Sequence, residues 1–194
     1  MKPFRRRRRG RLTATFEIGE AHLIASLAAQ VVELLRDRNG AEESDPDPLA
    51  AQIGMGGPSL APEDPVLLRL LPDAYRDDPE DAGEFRRYTE RSLTSAKVHN
   101  AETLIGTLID GGLTFGEMPD EDDDPIEVEL DPDQAQAWLR ALTDIRLSLA
   151  VRLGIETDED TLRIAESEDD QTLAMSDIYD WLGYVQETLI AALE

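Results

Sequence analysis

The sequence predicts a mainly α fold: a bundle of four to five helices carrying a small two-stranded β-sheet. Three observations predict it. Apolar residues recur at helical spacing in five separate stretches. Two short segments, 12–18 and 126–130, alternate with period two instead. Asp-Pro pairs stand just before apolar runs at Asp64-Pro65 and Asp131-Pro132, where Asp accepts from free N–H groups and Pro at the first helical position loses no hydrogen bond.

Taken in order, Leu12, Ala14, Phe16 and Ile18 alternate with Thr13, Thr15 and Glu17 as a half-buried strand. A helix follows over about 20–38, with Leu23, Leu27, Val31, Leu34 and Leu35 on one stripe and Gly40 as its stop. Residues 41–63, rich in Asp, Glu, Pro and Gly, read as a loop with one helical turn near Leu49–Ile53. After Asp64-Pro65, Val66, Leu67, Leu70 and Leu71 face inward until Pro72. A longer helix spans 81–110, its stripe formed by Phe85, Tyr88, Leu93, Ala96, Leu104 and Leu108, and Gly111-Gly112 ends it.

Residues 117–125 form an acidic loop, since like charges and proline oppose regular structure. Ile126, Val128 and Leu130 make the second strand. The next helix, 133–153, carries Trp138, Leu142, Ile145, Leu149 and Leu153, and Gly154 closes it. A further acidic loop, 156–170, leads to a last helix starting near Ser176. Its buried face is expected to hold Ile178, Trp181, Leu182, Val185, Leu189 and Leu193. A two-stranded ribbon is marginal in water alone, so the helices must cover one face of it.

The 194 residues hold 19 Lys+Arg against 42 Asp+Glu, a net charge of −23. Lys2, Arg5, Arg6, Arg7, Arg8, Arg9 and Arg11 supply seven of those bases, leaving a balance of −30 on the rest. The expected organisation is therefore a basic N-terminal arm over 1–11 and one acidic helical domain over 12–194. That domain carries its acidic loops near 41–63, 117–125 and 156–170. Such a body does not bind polyanions, so any nucleic-acid contact falls to the arm. The absence of cysteine excludes disulfides, thiolate zinc sites and catalytic or redox-sensing thiols. No apolar segment follows the arginines as a twin-arginine signal requires, and the uncharged run Ala21–Val32 is too short to span a bilayer. The protein is expected to be cytoplasmic.

Enzymatic, metal and cofactor motifs are absent, so no cofactor and no catalytic residue is expected. Gly54-Met55-Gly56-Gly57 lacks the preceding strand that a phosphate loop needs. An EF-hand register from Asp78 puts Gly83 sixth but Thr89 twelfth, where Glu is required. His22 and His99 have no recognisable partner, and Trp138, Trp181, Tyr184, Tyr88 and Phe85 sit at core spacing. The contact residues that remain are Lys2, Arg5, Arg6, Arg7, Arg8, Arg9 and Arg11. They could track a phosphate backbone, dock an acidic protein, or lie back on the chain's own acidic surface.

Three segments carry a resemblance. Asp64-Pro65-Val66-Leu67-Leu68-Arg69-Leu70-Leu71-Pro72-Asp73-Ala74-Tyr75 resembles a D-P-x-L-x-R-L-L-P-D-x-Y signature; residues 138–149, from Trp138 to Leu149, are similar to a second block, and residues 178–187, from Ile178 to Glu187, to a third. Together they resemble an actinobacterial domain-of-unknown-function family that includes the oxidative-stress transcriptional regulator AosR. The resemblance implies a non-enzymatic regulator of stress-response transcription that works with an extracytoplasmic-function sigma factor or RNA polymerase. The described branch senses oxidant through paired cysteines, which this chain lacks. Family genes also lie beside the adaptor of the Clp protease, so the alternative is an acidic interaction module linked to that adaptor, with no nucleic-acid role.

Overall fold

The computed structural model describes residues 1–40, 58–75, 77–116 and 124–194. The described chain runs β1 (Lys2–Arg6), β2 (Leu12–Phe16), α1 (Ile18–Gly40), α2 (Pro65–Leu70), α3 (Pro79–Asp110), β3 (Ile126–Leu130), α4 (Pro132–Leu153), α5 (Asp158–Ala165) and α6 (Asp170–Leu193). It is mainly helical with a small antiparallel sheet in the order β1-β2-β3. The expected two strands are thus three, and the expected four to five helices are six among the described residues. The turn near Leu49–Ile53, the glycines at 54–57 and most of the loop 117–125 lie outside the described residues.

The third strand escapes sequence reading because its only large apolar residue is Phe4. That ring anchors the strand in the core, and the ladder to β2 and packing against α6 complete its hold. Phe4 is buried edge-on against Phe16 and Trp138, at centroid separations of 6.1 and 5.6 Å, and Phe16 stacks on Trp138 at 5.8 Å. The indole N–H of Trp138 donates to Thr107 Oγ1 at 2.8 Å, so the buried ring leaves no polar atom unsatisfied. In β3, Ile126, Val128 and Leu130 point into this core while Glu127 and Glu129 face solvent, the alternation expected of a sheet covered on one side.

Acidic residues start the helices. Asp64 accepts from the amides of Val66 and Leu67 at 2.7 and 3.0 Å. Asp78 and Asp131 cap α3 and α4 in the same way, each followed by Pro. Gln134 returns a bond to the Asp131 amide, completing a capping box. The same chemistry corrects the loop expected over 156–170. Asp160 accepts from the amides of Glu156 and Thr157 and starts α5, while Asp169 accepts from Thr172 and starts α6 at Asp170, a turn and a half before Ser176.

In α1 the buried stripe is Ala21, Ile24, Ala25, Ala28, Val31, Val32 and Leu35, with Leu27 and Leu34 at its margin, while Leu23 is half-buried away from it. α1 packs against α3 and α4, and its fully buried alanines rotate the helix relative to a leucine-centred stripe. By length and hydropathy α1 passes as a membrane-crossing helix, yet these residues line the core. Leu182, Val185 and Leu189 of α6 are buried as expected, with Ile178, Trp181 and Leu193 partly so. Phe85, Tyr88 and Leu93 are exposed rather than core, because α3 buries its polar side near Arg86 and Glu90, and Tyr184 of α6 is exposed as well.

Candidate functional site

Residues 2–16 form a β-hairpin whose connection is almost wholly arginine. Arg5 pairs across the ladder with Thr13 and Arg6 with Leu12, and an irregularity between Lys2 and Arg5 shifts the register. The Arg7 amide donates to the Arg11 carbonyl at 2.7 Å and closes the loop. Inside it Arg9 and Gly10 take left-handed backbone conformations, with φ of 63° and 73°. Glycine accepts that region freely, whereas an L-residue such as Arg9 pays on the order of 1 kcal/mol for it. The reversal turns the arginine side chains out at the end of the sheet.

The hairpin divides the seven basic residues into two sets. Arg7 Nε donates to Thr13 Oγ1 at 3.0 Å, and Arg11 pairs with Glu129 of β3. These two lie along the sheet and brace it. Arg5, Arg6, Arg8 and Arg9 are exposed, as is Lys2, and among the described residues no carboxylate pairs with any of them. Of the three fates open to the basic segment, lying back on the acidic body applies, among the described residues, to Arg11. Buried Phe4 meanwhile ties β1 to the core, where α6 packs against it. The cations therefore project from a folded edge, and less ordering entropy is lost on binding than for a free tail.

The other polar centres hold structure together. Arg86, 5% exposed, donates to the Leu71 carbonyl and pairs with Asp73 and Glu90; Glu90 also accepts from Arg38 Nε at 2.9 Å. Burial alone would lower the Arg86 pKa, but its bonds to Asp73 and Glu90 outweigh that and raise it. Asp64 and Asp73 of the first signature segment thus act as a helix cap and as an anchor for α3. Tyr75 of the same segment meets Phe85 edge-on at 6.0 Å.

Between α3 and α4, Lys97 Nζ lies 2.5 Å from Asp144, whose pKa burial raises despite the opposing pull of Lys97. Sequence reasoning missed both clusters. The i,i+4 spacing of Arg86 and Glu90, and the one lysine outside the basic segment, were the available signals.

The remaining candidates do not assemble a reaction centre. His22 stands edge-on to Phe115 at 6.1 Å and His99 is exposed on α3. Asp78 caps α3 and Gly83 lies inside it, so the EF-hand register is a helix start. Among the described residues no group of three or more His, Asp or Glu could hold a metal ion.

A family model described as a domain of unknown function, DUF2017, matches residues 1–193. The proteins named oxidative stress regulator AosR from Mycobacterium bovis and Mycobacterium tuberculosis are each 33% identical over 187 residues, covering 90% of this chain and 78% of theirs. The Mycobacterium leprae relative is 33% identical over 190 residues. No solved structure matches.

Proposed function

From the premise that this chain belongs to the DUF2017 family, alongside the mycobacterial oxidative stress regulators, we propose that it is a non-enzymatic regulator of stress-response transcription in the cytoplasm. It acts with an extracytoplasmic-function sigma factor or with RNA polymerase, and it contacts DNA phosphates through the arginine hairpin. The observation that carries this reading is the set of four exposed arginines, Arg5, Arg6, Arg8 and Arg9, which among the described residues have no carboxylate partners, on an otherwise acidic chain.

Arginine's planar fork suits the phosphate oxygens of a nucleic-acid backbone. The acidic remainder supports the same reading, because its field repels DNA everywhere except at the hairpin and so orients approach. Trp138, Phe4 and Phe16 supply the rigid base from which the loop projects. The chain contains no cysteine, so the signal it answers is not a thiol oxidation.

Replacing Arg5, Arg6, Arg8 and Arg9 together by Gln tests the proposal in transcription from its own promoters with RNA polymerase and the sigma factor present. The expected result is loss of the promoter response with the melting temperature retained. An unchanged response overturns the reading. Recovery of the Clp adaptor by the same variant and the parent alike would favour an acidic interaction module instead.

A further inference from the structure

A cleft of about 280 Å³ opens among α2, α4, the turn leading into α5, and α6. Arg69 of α2 and Arg146 of α4 both line it, and among the described residues neither meets a carboxylate within ion-pairing distance. The three segments that carry the family resemblance meet here: Arg69 comes from the first, Thr143 and Arg146 from the second, Tyr179 and Gln186 from the third.

Arg146 is held in one pose. Its Cζ lies 4.7 Å from the centroid of the Tyr179 ring, within cation–π range. Nη1 donates to Gln186 Oε1 at 2.9 Å, and Gln186 Nε2 in turn donates to Thr143 Oγ1 at 2.7 Å. That leaves Nε and Nη2, which share the lateral edge of the guanidinium, the edge that grips a carboxylate with two parallel hydrogen bonds. Nε is buried and neither nitrogen has an acceptor among the described residues.

Gly183 adds a second, independent sign. It lies in the interior of α6, where glycine costs about 0.8–1.0 kcal/mol relative to alanine. The nearest atoms a methyl there would approach, outside its own helix backbone, belong to Arg146, with Nη2 at 3.3 Å and Cζ at 3.4 Å. An orphaned donor and an interior glycine both weaken the fold, and both serve to place one guanidinium. A packing role needs neither, since a methionine would fill the same space between α4 and α6.

We infer that this cleft binds a small monocarboxylate bearing a hydrogen-bond donor, of the hydroxy-acid or amino-acid class. The lateral edge of Arg146 and the head of Arg69 hold the carboxylate. Glu156 and Asp158, which also line the cleft without pairing to either arginine, accept from the ligand's hydroxyl or ammonium and repel polyanions. The inference stands apart from the hairpin and does not depend on the regulatory reading.

The test is ¹H–¹⁵N NMR of the full chain, following Arg146 Nε–H and the Gln186 side-chain amide during titration with lactate, with glycine and with inorganic phosphate. Saturable shifts with lactate or glycine, and weaker ones with phosphate, are expected. Arg69→Gln should weaken that binding about tenfold, the loss of one charge-assisted hydrogen bond. Gly183→Ala should keep or raise the melting temperature while weakening binding, an outcome that a merely structural glycine does not give. Glu156→Gln should narrow the gap between phosphate and the carboxylates. The inference is overturned if neither carboxylate gives a saturable shift, if phosphate binds more tightly than both, or if affinity is unchanged in Arg69→Gln and Gly183→Ala alike.

Discussion

Arg86 and the hairpin arginines carry the same side chain to opposite ends. Arg86 is buried on the inner side of α3 with a carbonyl and two carboxylates around its guanidinium. Arg5, Arg6, Arg8 and Arg9 stand in solvent at the sheet's end, and among the described residues no carboxylate pairs with them. Among the described residues, the fold places carboxylates around the arginine that holds α1, α2 and α3 together and leaves none paired with the four at the loop. A buried ion pair is a fixed structural requirement once made, because removing one partner strands the other. An exposed arginine contributes almost nothing to stability, so its value lies in what it can meet.

The largest effect expected from this comparison is at Arg86. Arg86→Met leaves Glu90, 2% exposed, with Arg38 alone, and should destabilise by about 3–5 kcal/mol. Urea unfolding should show it as a lowered midpoint at unchanged slope. A loss no larger than that of a surface substitution would dissolve the contrast between the two sets.

A smaller effect sharpens the electrostatic side. Burial raises the Asp144 pKa above its ordinary value, so the folded state binds that proton more tightly than the unfolded chain does. Between the ordinary carboxylate value and the raised folded one, stability should therefore fall as pH rises. Asp160 and Asp169 act with the opposite sign. Their pKa values are lowered, Asp160 chiefly by the amides of Glu156 and Thr157 and Asp169 by Thr172, so their contribution is present above the ordinary value and lost as pH falls through the folded ones. Asp144→Asn should remove the downward component from a series of urea midpoints between about pH 3 and 6. A series identical to the parent would show that Asp144 titrates normally.

The smallest expected change in stability is the most informative. Replacing Arg5, Arg6, Arg8 and Arg9 by Gln should move the unfolding free energy by no more than about 0.5 kcal/mol. A loss of several times that, in the same urea experiment, would mean that the loop arginines brace the fold as Arg86 does.

The residues whose roles are local were legible in the sequence. Asp64, Asp131, Pro65 and Pro132 announce their helices because capping is settled within a few residues of chain. Val128 and Leu130 announce their strand by alternation. What escaped depends on tertiary partners. β1 reads as a charged run because Phe4 is its one large apolar side chain, and its burial against Trp138 is decided 134 positions away. The acidic segment around Thr157 reads as loop because charge dominates its composition, while Asp160 spends its carboxylate on two backbone amides. Of the candidate contact surface, the seven basic residues were legible, but their division was not. Arg7 and Arg11 lie along the sheet only because Thr13 and Glu129 stand beside them in the folded chain.

The most direct test of the hairpin's role is DNA binding by fluorescence anisotropy over a salt series, comparing the parent chain with the four-Gln variant on duplexes from its own genomic neighbourhood and of random sequence. Release of counterions gives a log–log slope near −0.9 for each phosphate engaged, so four arginines predict a slope of about −3 to −4. That slope, absent in the variant, is the result expected of a phosphate-contacting hairpin. No binding at low salt, or the same slope in both proteins, would contradict it.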